Sequence, residues 1–173
     1  MKLLMFYTKE WWYKTASKTL PDVPDADQEE KVDHAVVIFF HCEGEDEGKY
    51  ESVVQKFVKN AKWIAGKFGT KNTVLHSFNH LSSSKSSPEF ARRLLGEVTE
   101  RLQRTGYSVM TTPFGYFNEF ISAREKSGQL CQLAIGYFTG ETYRSIVRMW
   151  IQKARMMITE EATFAAMCKQ GNA

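Results

Sequence analysis

The sequence predicts an α/β fold, a mixed β-sheet with helices packed on it. Three observations carry that prediction. Residues His34–His41 (HAVVIFFH) form an unbroken β-branched and aromatic run, as in a central strand buried on both faces. Two segments with helical periodicity, Tyr50–Phe68 and Pro88–Thr105, alternate with short apolar strands. The pattern then closes on two strand-like stretches, Asn118–Arg124 and Gln129–Phe138, which read as a hairpin turning at Lys126–Gly128.

Taken in order, Met1–Thr8 (MKLLMFYT) reads as a buried first strand. Trp11–Ala16 reads as a second, with Trp11 and Trp12 on opposite faces. Pro21–Glu30 is an acidic, proline-containing loop without periodicity and is expected to be mobile. Glu43–Gly48 is a charged loop. In the first helix Val53, Val54, Phe57, Val58, Ala61, Ile64, Ala65 and Phe68 recur at three- and four-residue spacing, and Gly69 supplies a left-handed cap. Asn72–Phe78 is a strand and Asn79–Ser87 a serine-rich polar loop. Ser87 caps the second helix, Pro88 opens it and Gly106 closes it. Tyr107–Thr112 is a strand that ends in a sharp Pro113-Phe114-Gly115 corner. Tyr143–Cys168 reads as a long final helix. The expected organisation is an α/β core over 1–138, extended within the same domain by a helical segment, 139–173.

Composition narrows the function classes. The chain has 173 residues, 43% apolar and 25% charged, ordinary values for one globular domain. A net charge of +3 decides little, because nucleic-acid binding depends on clustered charge. Cys42, Cys131 and Cys168 are far apart and form no CxxC, which argues against disulfides and zinc and for a reducing cytoplasm. His34, His41, His76 and His80 lack metal-ligand spacing, so neither metal nor cofactor is expected. No apolar run reaches the ~18–20 residues of a membrane span. Met1–Tyr7 is short and runs into Lys9 without a small-residue cleavage site, so no signal peptide is expected.

Two loops attract chemical interest. The first, Phe78–Ser84, follows a buried strand, the usual ligand side of an α/β sheet. There His80 offers a base or hydrogen-bond partner, and the serine run offers backbone N–H groups to an anion or carbonyl. The plain alternative is a polar capping segment with a hydrogen-bonded histidine. The second, Thr111–Asn118, combines stiff Pro113, permissive Gly115 and two aromatics, Tyr116 and Phe117, able to stack on a base. The plain alternative puts one aromatic in the core and one at a sheet edge. Basic residues on the second helix (Arg92, Arg93, Arg101, Arg104) and on the last (Arg144, Arg148, Lys153, Arg155) read first as solvated faces.

The opening MKLLMFYT, the stretch HSFNHLSSSKSSP (His76–Pro88) and the stretch TPFGYFNEF (Thr112–Phe120) resemble the N-terminal editing domain of archaeal threonyl-tRNA synthetases, in order and nearly in spacing. The resemblance spans about Met1 to Leu133. It implies a D-aminoacyl-tRNA deacylase-like fold that pairs as a homodimer. It implies hydrolysis of serine misattached to threonine tRNA, helped by the terminal ribose hydroxyl and a positioned water. The partners it implies are the 3′ end of aminoacylated threonine tRNA and a threonyl-tRNA synthetase catalytic subunit, in the cytoplasm, with no cofactor. By the same resemblance Asn79 and His80 bind the adenosine and aminoacyl group, with Pro113, Gly115, Tyr116 and Phe117 lining the substrate. Three positions depart from the family pattern. Asn118 stands for a lysine, Phe117 for a tyrosine and, across a one-residue gap, Gln132 for a glutamate. Catalysis would then rest on His80, Asn118 and Gln132. The alternative is a weakened binding or dimerisation module.

Overall fold

The computed structural model describes residues 1–123 and 134–136. Its elements are β1 (Lys2–Lys18), β2 (Glu29–His41), α1 (Tyr50–Lys67), β3 (Asn72–Ser77), α2 (Pro88–Gln103), β4 (Ser108–Thr111), β5 (Tyr116–Ala123) and β6 (Ala134–Gly136). A short 3-10 turn, Gly44–Lys49, leads into α1. The sheet runs in the order β4-β3-β2-β1-β5, with β6 also on β1. The β2/β3 and β3/β4 pairs are parallel, and the β1/β2, β1/β5 and β1/β6 pairs are antiparallel. The mixed α/β class is therefore as the sequence predicts.

The helices form where their apolar stripes dictate. α1 buries Val53, Val54, Phe57, Ala61, Ile64 and Ala65. α2 buries Ala91, Leu94, Leu95, Val98 and Leu102. Both stripes join Leu3, Met5, Val36, Ile38, Phe40 and Leu75 of the sheet in one core. The Ser87 hydroxyl accepts from the Phe90 N–H, and Pro88 sits where no helical N–H is needed. Gly69 (φ 62) ends α1, with the Thr70 N–H reaching back to the Ala65 carbonyl. Gly106 (φ 80) ends α2 likewise, with Tyr107 bonded to Leu102.

The strands differ from expectation in two places. The two predicted opening strands are one, β1, because β2 is also long enough to pair with both halves. The Lys9–His34 pair is missing from that ladder, and His34 has φ 51. Past this irregular step the hairpin bends sharply. Phe120 pairs with Tyr13, and Phe39 pairs with Leu4, nine residues away along β1. Nine extended residues span about 30 Å. Yet the Phe120 and Phe39 rings lie 5.4 Å apart, and Trp11 lies 5.9 Å from Phe39. The distal part of β1, carrying β5, is thus folded over the Phe39 face.

The expected closing hairpin is the second difference. β5 and β6 both run antiparallel to β1, against Glu10–Lys18 and Leu3–Met5 respectively, so they follow one another end to end. They do so because a single long β1 offers one continuous free edge to both. The residues expected to turn between them, Lys126–Gly128, lie outside the described residues, as does the expected helix Tyr143–Cys168.

The curl is completed at Gly115. Its carbonyl accepts the Thr19 N–H (2.7 Å) and the Leu20 N–H (3.3 Å), tying the end of β1 to the loop after β4. Gly115 has φ 81, and a Cβ there would lie 3.0 Å from Val23 and 3.2 Å from Leu20. Gly115→Ala is expected to cost about 1–3 kcal/mol in a denaturant melt, through the left-handed backbone and the crowding together. Gly96, inside α2 with open space around it, is the contrast. Gly96→Ala is expected to stabilise by about 0.5–1 kcal/mol in the same melt.

Candidate functional site

The loop after β3 is stitched to the end of β2. Phe78 extends the ladder by donating to the Phe40 carbonyl, and the His80 N–H turns back to the Phe78 carbonyl (2.9 Å each). Fully buried His41 then grips the loop from below. Its Nδ1 accepts the Leu81 N–H (3.2 Å), so Nε2 carries the proton and donates to the Ser84 carbonyl (2.7 Å). Burial holds this imidazole below its usual range, although the Ser84 carbonyl and Glu43 pull the other way.

The serines bind the protein itself. The Ser82 hydroxyl donates to Glu43 (2.7 Å), and the Ser84 hydroxyl accepts the Gly44 N–H (3.1 Å). Ser87 donates to Glu47 through both its N–H and its hydroxyl. The Ser84 N–H goes to Ser82 and the Ser86 N–H to the Cys42 carbonyl. The Ser84 and Ser86 N–H groups are therefore already bonded within the protein. Burial pushes Glu43 upward, but the Met1 ammonium (2.8 Å) and the Ser82 hydroxyl outweigh it and hold the carboxyl below its usual range. Burial pushes the Cys42 thiol up to about 12, leaving it inert as a nucleophile. Asn79 and His80 are exposed to solvent, as are Ser83, Ser84, Lys85 and Ser87 further along the loop. The His80 ring meets Phe78 edge-on, with centroids 5.1 Å apart.

The second loop starts from the same place. Thr112, the residue just after β4, hydrogen-bonds His76 Nδ1 of β3 (2.9 Å). Buried His76 sits among Phe39 (4.6 Å), Phe120 (5.9 Å), Phe78 (6.2 Å) and Trp11 (6.5 Å). An unbroken series of ring contacts, Phe120–Phe39–Phe78–His80, links β5 to the exposed imidazole. Past Pro113 and Phe114 the chain turns at Gly115 into β5. There Asn118 shares a strand face with Phe120, while Phe117 faces the other way, 60% exposed. Asn118 Nδ2 donates to the Tyr116 carbonyl (3.3 Å). Its Oδ1 is buried and has no hydrogen-bond partner among the described residues.

The Tyr116 hydroxyl is occupied differently from the expectation for a substrate contact. It donates to the Pro24 carbonyl (3.1 Å) and accepts the Ala26 N–H (2.9 Å). With Val23 buried and Lys18 paired to Asp25, the acidic segment expected to be mobile is anchored. His80 and Asn79 thus lie on the turn after β3, and Pro113, Gly115 and Asn118 on the turn into β5, the two elements being linked by the His76–Thr112 hydrogen bond and the Phe120–Phe39–Phe78–His80 ring series. Phe117 points outward, and Gln132 lies outside the described residues. Sequence reasoning missed His41 and His76. The available signal was a histidine inside each apolar strand.

The family described as the archaea-specific editing domain of threonyl-tRNA synthetase matches residues 1–131. The chain belongs to this family. It is 34% identical over 122 residues to a threonine–tRNA ligase of Methanosphaera stadtmanae, covering 69% of this chain and 20% of that protein. It is 31% identical over 123 residues to the ligase of Thermococcus sibiricus, with the same coverage. The ligase of Methanocaldococcus jannaschii matches at 29% over 120 residues, 69% of this chain and 19% of that protein. The editing domain thus spans about a fifth of the curated relatives it matches. Both loops fall inside the matched region.

Among the described residues of this editing domain, no His, Cys, Asp and Glu side chains gather into a metal-binding set. No described helix is long and apolar enough to cross a membrane. Burial pushes His76 down to about 4, against 6.5 for a free imidazole. As pH falls below 6.5 the unfolded chain takes up this proton first, so the His76 contribution to stability is complete above 6.5 and lost toward pH 4. Relative to His76→Phe, the wild type is expected to lose about 3 kcal/mol of unfolding free energy between pH 7 and pH 4. Urea melts across that range check it. His41→Leu, which leaves the Leu81 N–H and the Ser84 carbonyl unpaired, is expected to cost about 2–4 kcal/mol in the same melts at pH 7.

Proposed function

We propose that this editing domain hydrolyses the ester of serine misattached to threonine tRNA. The observation that carries the reading is the His76–Thr112 hydrogen bond, which ties the strand leading into the His80 loop to the start of the loop that turns at Gly115. Family membership supplies the substrate class.

The chemistry follows from what these groups can do. A water adds to the seryl carbonyl and the ester C–O bond breaks. The water's proton passes to the departing ribose oxygen, and the neighbouring 2′-hydroxyl helps to hold the water. His80 positions the hydroxyl or the water, and the Asn118 amide, with Gln132, turns its dipole on the carbonyl. Asn79 and the Pro113–Gly115 backbone line the adenosine side, and exposed Phe117 offers a ring for a base. Tyr116 serves by holding Pro24 and Ala26 in place. A threonine methyl must be excluded by contact, which supplies ~1–3 kcal/mol. By the family resemblance alone, the acting species is a homodimer that works in the cytoplasm beside a threonyl-tRNA synthetase catalytic subunit.

Asn118 and Phe117 favour a second reading, an aminoacyl-tRNA-binding module with weakened chemistry. Asn118 supplies no charge, and Phe117 no hydroxyl. Deacylation of seryl- and threonyl-tRNA by the full chain separates the two. The hydrolase reading expects the serine ester to be cleaved at least tenfold faster than the threonine ester. It also expects a 2′-deoxy terminal adenosine to block cleavage, and His80→Ala to lower the rate by ~10²–10⁴. The second reading expects binding without cleavage, and at least a tenfold gain in rate from Asn118→Lys combined with Phe117→Tyr.

A further inference from the structure

The two helices carry their cations in opposite ways. On α2, Arg101 pairs with Glu51 and Glu97, Arg104 with Glu100, and Arg93 lies over the Tyr50 ring. On and just after α1, Lys59, Lys62, Lys67 and Lys71 stand apart from acids among the described residues. The sequence between Glu51 and Glu89 holds six lysines (Lys56, Lys59, Lys62, Lys67, Lys71, Lys85) and no Asp or Glu. Among the described residues, no carboxylate pairs with Lys59, Lys62, Lys67 or Lys71. In their midst Trp63 is 48% exposed. Lys67 Nζ sits 4.5 Å from the Trp63 ring centre, and Lys71 Nζ 4.1 Å from that of Tyr107.

The opposite face of α1 is already buried in the core, and Trp63 and these lysines lie outside that core. A large exposed indole beside unpaired ammonium groups is poorly placed for solubility alone. It matches a polyanion that also offers flat rings, as RNA does. A membrane surface would call for a broader apolar stripe than one tryptophan. We propose that the outer face of α1 is a contact for the phosphate backbone and an unpaired base of a structured RNA. The identity of that RNA, the threonine tRNA, rests on the proposed function. The face is also connected to the site. α1 follows the 3-10 turn, whose preceding Glu43 holds Ser82 and whose Glu47 holds Ser87, and it runs about 26 Å from Tyr50 to Lys67. One RNA whose end enters beside His80 can therefore lie along the helix.

The test measures binding of uncharged threonine tRNA to the full chain across a salt series. Replacing Lys59, Lys62, Lys67 and Lys71 together by Gln is expected to weaken binding at least tenfold at low salt. It is also expected to reduce the slope of log K against log salt by roughly 3, near 0.7–0.9 for each phosphate that is no longer neutralised. Trp63→Ala is expected to weaken binding roughly fivefold or more with the slope unchanged. Arg104→Gln on α2 is expected to leave both quantities within a factor of two. All these positions are on the surface, and a circular dichroism melt checks that each variant folds. Wild-type affinity and slope in the fourfold variant would overturn the proposal. So would dependence on these lysines for binding anionic phosphatidylserine vesicles or a poly-glutamate peptide, but not tRNA. If tRNA binding depends on α1 while no seryl ester is cleaved, the hydrolase reading fails and this one stands, because the binding measurement does not pass through catalysis.

Discussion

The structure depends on one short connection. Thr112–Gly115, four residues, joins β4 at one edge of the sheet to β5 at the other. Four strand spacings in a flat sheet come to about 19 Å, more than a turning four-residue link can cross. The sheet must therefore curl until its edges approach, and the bend at Lys9 and His34 lets β1 do so. Trp11, Phe39 and His76 fill the inside of the curl, and Phe120, itself 43% exposed, stacks on Trp11. The apolar layer and the loop geometry are thus two results of one topological constraint.

Polar groups inside this arrangement are set against neutral partners. His41 and His76 are both buried, and burial holds each toward the uncharged form. An uncharged imidazole keeps one acceptor nitrogen, and at His41 that acceptor orients the Leu81 N–H. Charge is handled one step further out, where Glu43 and Asp46 together hold the Met1 ammonium. The loop that presents His80 is in this way fixed by its neighbours before any ligand arrives, the condition under which a site discriminates small differences in a substrate.

Local pattern made much of the fold legible. The apolar stripes of α1 and α2, the Ser87–Pro88 start and the glycine caps are all written within a few residues of where they act. The central strand was legible because Ala35–Phe40 is apolar at every position, which only two covered faces explain. Register was not legible. Nothing local states that β1 continues through Lys9, or that β5 and β6 share its edge, since both depend on which strand lies alongside. The site divides the same way. His80 stood out because polar loops after strands are conspicuous, whereas the Tyr116 hydroxyl bonds a backbone ninety residues earlier, beyond the reach of spacing arguments.

The ring series from Phe120 to His80 has a consequence for how such a domain diverges. The interior and the loop that carries His80 share ring contacts, so neither can drift alone. A larger or smaller residue at Phe39 displaces Phe78, and Phe78 carries the imidazole with it. Selectivity that turns on a single methyl group tolerates displacements of only a fraction of its width. On the proposed function, mutations chosen for thermal hardiness within this layer would therefore act, unintended, on amino-acid selectivity.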